Sequence, residues 1–157
     1  MLFRSKLEDL PGIHNVEQKI ALDRKLQPTN FFAEDVFFRG IIDYIKVDGA
    51  CAYVVDYKTG KPHQKFDQLQ LFALHTFALY PDVDLVHVRF YWTQTEDETR
   101  YSYRRDDVAG IWRKFIPDLK QYAEAFKTDT WQPRQSGLCN GWCPVKECEF
   151  WKQRRKT

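Results

Sequence analysis

The chain has 157 residues, 24 Lys and Arg against 22 Asp and Glu, and is 43% hydrophobic and 16% aromatic. With 12 Phe, 8 Tyr and 5 Trp it is too apolar for an intrinsically disordered protein, and it is long enough to bury a core without disulfides. No run approaches the roughly 18 to 20 apolar residues that span a bilayer, and Met1-Leu2-Phe3-Arg4-Ser5-Lys6 lacks a signal-peptide core, so a soluble cytoplasmic protein is expected.

Residues 16–23 read as a first strand and 32–47 as a longer one, bent near Gly40. Asp48-Gly49 is a hairpin signal, and the β-branched and aromatic run 50–58 is expected to return antiparallel and to end at Thr59-Gly60-Lys61-Pro62. Apolar spacing from Phe66 to Leu79 predicts a helix stopped by Pro81. Strands at 85–94 and 99–105 follow, then a helix capped by Asp106 or Asp107 and running to about Lys127, with Pro117 kinking or dividing it. The whole reads as one α+β domain, residues 1–157, with a core over about 16–127 and a Cys-containing segment over about 128–157.

The net charge of +2 hides an uneven distribution. From Arg134 to Thr157 six basic residues face two acidic ones, a tail that is either simply solvated or suited to DNA phosphates. Cys51 stands alone, whereas Cys139, Cys143 and Cys148 crowd together, a spacing that in an intracellular chain suggests metal before disulfide. The aromatics Phe90, Tyr91, Trp92, Tyr101 and Tyr103 alternate along two strands and are read as core and cross-strand pairs rather than a base-stacking platform. Arg104, Arg105, Arg113 and Lys114 are candidates for a basic path.

The segments G-I-I-D43 and V-V-D56-Y-K58 carry the strongest chemical signal. Side chains on a strand alternate, so Asp56 and Lys58 share a face, and the Asp48-Gly49 turn brings Asp43 near them. Two neighbouring carboxylates repel unless a cation sits between them, and hard oxygen donors suit Mg²⁺ or Mn²⁺. Taken singly, each acid reads sooner as a strand-end residue paired with Lys58. Their apolar flanks, GIIDYI and YVVDYK, weigh against that. A divalent ion beside an ammonium is the chemistry of phosphodiester hydrolysis.

This pattern, continued by Gln68-Leu-Gln-Leu-Phe72 on the expected helix, resembles the PD-(D/E)XK nuclease superfamily and within it the RecB-like branch of AddB-type, CRISPR adaptation and phage exonucleases, over roughly residues 16–150. The resemblance implies a restriction-endonuclease-like core, a mixed sheet flanked by helices. It implies a DNA nuclease, an exonuclease of recombination, repair or phage DNA metabolism. Asp43 and Asp56 correspond to metal ligands, the Tyr57 carbonyl to a further one, Lys58 to the catalytic lysine, and Gln68 to the glutamine of a QxxxY motif in which Phe72 replaces tyrosine. Glu17 corresponds to an acidic position that approaches the metal, with His14 a weaker candidate, and Lys61, His63 and Lys65 are placed to meet DNA.

Cys139-x3-Cys143-Pro-x3-Cys148 resembles the three trailing cysteines that bind a [4Fe-4S] cluster in that branch, and the same thiolates suit Zn²⁺ or remain free. The branch's upstream cysteine and the helix before the first strand are not found here. A second chain supplying both is therefore an expected partner, and a catalytically weak DNA-binding module is the alternative expectation.

Overall fold

The computed structural model describes residues 12–63 and 66–152. Five strands form one sheet in the order β1-β2-β3-β4-β5: β1 (Ile13–Asp23), β2 (Val36–Asp48), β3 (Cys51–Lys58), β4 (Leu85–Trp92) and β5 (Asp97–Arg104). Neighbours run antiparallel except β3 and β4, which are parallel because helix α1 (Asp67–Leu79) carries the chain between them. This is the mixed α+β sheet expected. The described residues divide between two compact units that part between Arg113 and Lys114.

In the first unit the strands follow from their alternation. Val86, Val88, Phe90 and Trp92 on β4 are buried in turn and meet Ala52 and Val54 of β3 under α1. The helix contributes Leu69, Phe72, Ala73 and Phe77 to this core. The leucine and phenylalanine side chains each contribute roughly 1.5–3 kcal/mol on burial. α1 is buried without a break from Phe72 to Phe77, lying on β1, β3 and β4, with Leu74 and Phe77 also bordering a groove shared with Val108 and Trp112. That envelope explains why its apolar residues form a continuous run rather than a stripe.

The boundaries differ from expectation in instructive places. Gly40 stays in register with Ile20, and the irregularity in the β1/β2 ladder falls at Leu22/Asp23. A Cβ at Gly40 would meet Phe72 and Ile20 at 3.6 and 3.7 Å, ordinary contacts, so no bend is required there. The β4–β5 turn tightens onto Glu96, whose positive φ of 56° lets β5 begin at Asp97.

Arg105 follows β5 in a single 3-10 turn (Arg105–Asp107). It does not extend a basic path. Its guanidinium donates to the Phe77 and Tyr80 carbonyls at 3.3 and 2.9 Å and also to that of Val83, capping α1 with a cation where the helix dipole is negative. The Asp107 carboxylate accepts from the Arg104 amide at 2.7 Å and opens α2 (Val108–Thr128). Pro117 lies inside α2, which runs through it undivided. Having no N–H, Pro117 leaves the Arg113 carbonyl without its helical donor, at the position where the two compact units part.

The second unit has little regular structure after α2. Its Cys-bearing segment holds one 3-10 turn (Gly137–Cys139), capped by the Ser136 side chain. No helix among the described residues is long and apolar enough to cross a membrane.

Candidate active site at a strand fork

The β2/β3 ladder runs from Asp48↔Cys51 to Tyr44↔Val55 and stops, while β2 continues against β1 and β3 against β4. Asp43 and Asp56 are the first residues past the last pair, so the two acids stand at the mouth of a fork. Their apolar neighbours anchor the strands on either side: Ile42, Tyr44, Val54 and Val55 are all at most 1% exposed. The fork also frees a backbone donor. The Tyr57 N–H points at the Asp43 Oδ2 at 2.8 Å. Tyr57 thus bears on the site through its amide, a contact that spacing alone does not reveal.

Asp56 is 5% exposed and shares its face of β3 with Lys58, whose ammonium lies 2.6 Å from the Asp56 Oδ2. The first turn of α1 places Gln68 above both. Its Nε2 donates to the Asp56 Oδ1 at 3.1 Å, and its Oε1 accepts from the Lys58 Nζ at 2.9 Å. Asp56, Lys58 and Gln68 thus close a ring of polar contacts. Burial pushes the Asp56 carboxyl above the usual carboxylate range, Lys58 works against the rise and Asp43 adds to it. The Asp56 Oδ2 is buried and held by the Lys58 ammonium, while Oδ1 takes the Gln68 amide.

Glu17 occupies the matching place on β1. It falls between the pairs Val16↔Tyr44 and Gln18↔Ile42, opposite Asp43, and its φ of 51° is a left-handed value that a glutamate rarely adopts. Val16, Glu17, Asp43, Tyr44 and Tyr57 line a small cavity of about 160 Å³. His14, nearby on β1, is engaged through Nδ1 with the Tyr44 hydroxyl at 2.6 Å.

The donors are the hard oxygens of two neighbouring carboxylates, Asp43 and Asp56, a donor set that fits Mg²⁺ or Mn²⁺. Among the described residues no three His, Cys, Asp or Glu side chains are gathered as a complete metal cage. Mg²⁺ does not need one, since it is commonly held by one or two carboxylates with substrate phosphate and water completing the shell.

Of the remaining candidates, Lys61 is exposed and enters no ion pair among the described residues, and Lys65 lies outside them. The His63 ring stands edge-on to Trp92 and Phe90 at 5.0 and 6.0 Å, and the Lys58 Nζ lies 5.0 Å above the Phe90 ring. An aromatic floor therefore supports the lysine. Its sequence signal was the alternation Phe90, Trp92, already assigned to the core, where both residues are 1% exposed. Phe72, in the tyrosine place of the QxxxY motif, is a core residue at 5% exposure.

In the second unit, Cys139, Cys143 and Cys148 are held by their backbones. The Cys139 carbonyl accepts from the Lys152 amide at 2.7 Å, that of Cys148 from the Trp151 amide at 2.9 Å, and that of Cys143 from the Trp151 indole at 3.1 Å. All three thus border one Trp-Lys dipeptide. Their thiols are free and do not form a ligand group as they stand. Three thiolates are one short of a closed tetrahedral or cubane set.

The profile of the PD-(D/E)XK nuclease superfamily matches residues 3–148. No curated protein matches the chain.

Proposed function

The chain belongs to the PD-(D/E)XK nuclease superfamily, and from that premise we propose that the fork of β2 and β3 is its active site and hydrolyses DNA phosphodiester bonds with Mg²⁺ or Mn²⁺. The observation that carries this reading is the assembly of Asp43, Asp56, Lys58 and Gln68, from two strands and a helix, around one buried carboxylate.

Asp43 and Asp56 would hold the ion, with Glu17 and the Tyr57 carbonyl as further oxygens at its edge. When bound, it supplies Lewis acidity and positive charge at the scissile phosphate. The protein groups have separable tasks. The Tyr57 amide fixes the Asp43 carboxylate so that its remaining lone pairs point into the cavity. Lys58, with a side chain 27% exposed, is near enough to solvent to meet a phosphate oxygen and to offset the charge that develops on it. Gln68 limits the freedom of Lys58 and, by donating to Asp56, keeps that carboxylate from turning away. Lys61, His63 and Lys65 are proposed to meet the DNA backbone beside this group.

The finer reading is an exonuclease of the RecB-like, AddB-type branch, acting in recombination, repair or phage DNA metabolism. In it the three cysteines hold a [4Fe-4S] cluster or Zn²⁺, with the fourth ligand and a further helix supplied by a second chain. The spacing Cys139-x3-Cys143-Pro-x3-Cys148 is what supports this part of the reading.

The test is digestion of end-labelled single- and double-stranded DNA by the purified chain in Mg²⁺, Mn²⁺ or EDTA, alongside Lys58→Ala. Metal-dependent cleavage lost in the variant is expected, with shortening from the labelled end marking an exonuclease. Cleavage that persists unchanged in Lys58→Ala overturns the assignment. Binding without cleavage would instead favour the DNA-binding alternative.

A further inference from the structure

The loop between β1 and β2 carries an exposed cluster that the fork does not use. Phe31 and Phe32 stand edge to face with ring centroids 5.1 Å apart, and Phe32 is 73% exposed. The Lys19 Nζ lies 5.6 and 5.2 Å from the two ring centres, and the Arg39 guanidinium lies 5.5 Å from that of Phe31. Arg39 also donates to the Phe31 carbonyl at 3.1 Å, fixing the loop to β2. Among the described residues neither Lys19 nor Arg39 enters an ion pair. The acids nearest in the loop are partly engaged locally, Asp35 with the Thr29 hydroxyl and Asp23 with the Lys25 and Gln27 amides.

Register gathers the cations on the sheet face turned away from α1, since the intervening Gly40 presents its Cβ position to Phe72. Lys19 opposes Ile41 and Ala21 opposes Arg39, so both cations leave the same face of the β1/β2 ribbon, together with the exposed Ile41 and Phe37. Arg39 precedes Asp43 by four residues, about 13 Å along the strand. Exposed aromatic faces beside unneutralised cations are complementary to a chain that alternates flat bases with phosphates, and no apolar partner surface would account for the two charges.

We propose that Phe31, Phe32, Lys19 and Arg39 form a subsite for single-stranded DNA, with bases stacked on the phenylalanines and phosphates on the cations. The proposal does not depend on the reading of the fork as a nuclease site.

The experiment measures binding of fluorescent oligo(dT) by anisotropy in Ca²⁺, and separately Mn²⁺-dependent cleavage. Phe32→Ala should weaken oligo(dT) binding roughly tenfold and affect a blunt duplex much less. Lys19→Gln and Arg39→Gln should each lower the salt dependence of binding by close to one phosphate contact. Because Phe32 is so exposed, its variant should keep the parent's melting temperature, and the two cation variants test the subsite without touching the rings.

Unchanged binding and salt dependence in all three variants, with cleavage intact, overturns the subsite and leaves the nuclease assignment standing. Weakened binding in a chain that cleaves nothing upholds the subsite and removes the fork reading instead. A change of oligomeric state in Phe32→Ala with no change in oligo(dT) binding would assign the patch to protein contact and overturn the proposal.

Discussion

The fork of β2 and β3 and the cysteine segment each bring together residues suited to binding an ion, by opposite means. At the fork the scaffold is complete before any ligand is considered: paired strands, an aromatic floor under Lys58 and a helix that delivers Gln68 hold Asp56, Lys58 and Gln68 in mutual contact, with Asp43 fixed beside them by the Tyr57 amide. In the cysteine segment the clasp acts only on the backbone, through Trp151 and Lys152, and the thiols remain ungathered. One region is organised by burial and ladder pairing. The other has the local turns but lacks the buried core that would fix its side chains. A preorganised site should therefore lose activity without losing structure when its residues are changed. A site organised by its ligand should lose structure with the ligand.

The largest effect is expected at the two acids of the fork. Asp43→Asn and Asp56→Asn should each lower cleavage about a thousandfold or more, worth about 4 kcal/mol, in single-turnover assays. Asp56→Asn should also raise the melting temperature at neutral pH. Because burial holds the Asp56 carboxyl above its ordinary range, its protonated form is favoured by folding and its ionisation at neutral pH opposes folding, a cost the amide removes. A lower melting temperature would show that the Lys58 ion pair outweighs burial.

Next comes His75, 1% exposed inside α1, with Nδ1 2.7 Å from the Leu71 carbonyl. Desolvation lowers its pKa from 6.5 to about 4. The unfolded chain takes up the proton first, so stability is full above pH 6.5 and falls as pH drops toward 4, by on the order of 3 kcal/mol. Urea unfolding of His75→Leu across that window should show a flatter profile than the parent, whatever the variant's absolute stability.

A smaller effect is expected at Gln68. Gln68→Ala should reduce cleavage roughly tenfold to a hundredfold, because Lys58 and Asp56 keep their ion pair but lose the bridge that orients them. The smallest effect on the fork should come from the cysteines. Cys139→Ser with Cys143→Ser should abolish any iron or zinc retained on purification, measured by elemental analysis, while amide protection of β3 in the first unit stays within error. Loss of that protection would show that the two regions are energetically coupled and would end the contrast drawn above.

The element order was legible because each element has a local signal: alternation in β3 and β4, an apolar run closed by Pro81 in α1, and Asp48-Gly49 between β2 and β3. Asp43, Asp56, Lys58 and Gln68 were legible as a set because their spacing along the chain survives in a single pattern. The fork was not, since where a ladder stops depends on which neighbour each strand follows beyond Tyr44↔Val55. The amide of Tyr57 and the left-handed turn at Glu17 belong to the same nonlocal geometry. The cap made by Arg105, a candidate for a basic path, was not legible because a cation that caps a distant helix looks, in sequence, like any other. Pro117 was weighed as a possible break, but the helix tolerates a single missing donor there.

The Arg105 cap has a consequence for how the first unit opens. Three carbonyls around the C-terminal end of α1 share one guanidinium, and that guanidinium belongs to the residue leaving β5. Fraying of the helix from that end therefore requires the exit of the edge strand to let go in the same event. In native-state hydrogen exchange the last turn of α1 and the end of β5 should behave as one cooperative unit, exchanging with a common free energy and a common denaturant dependence.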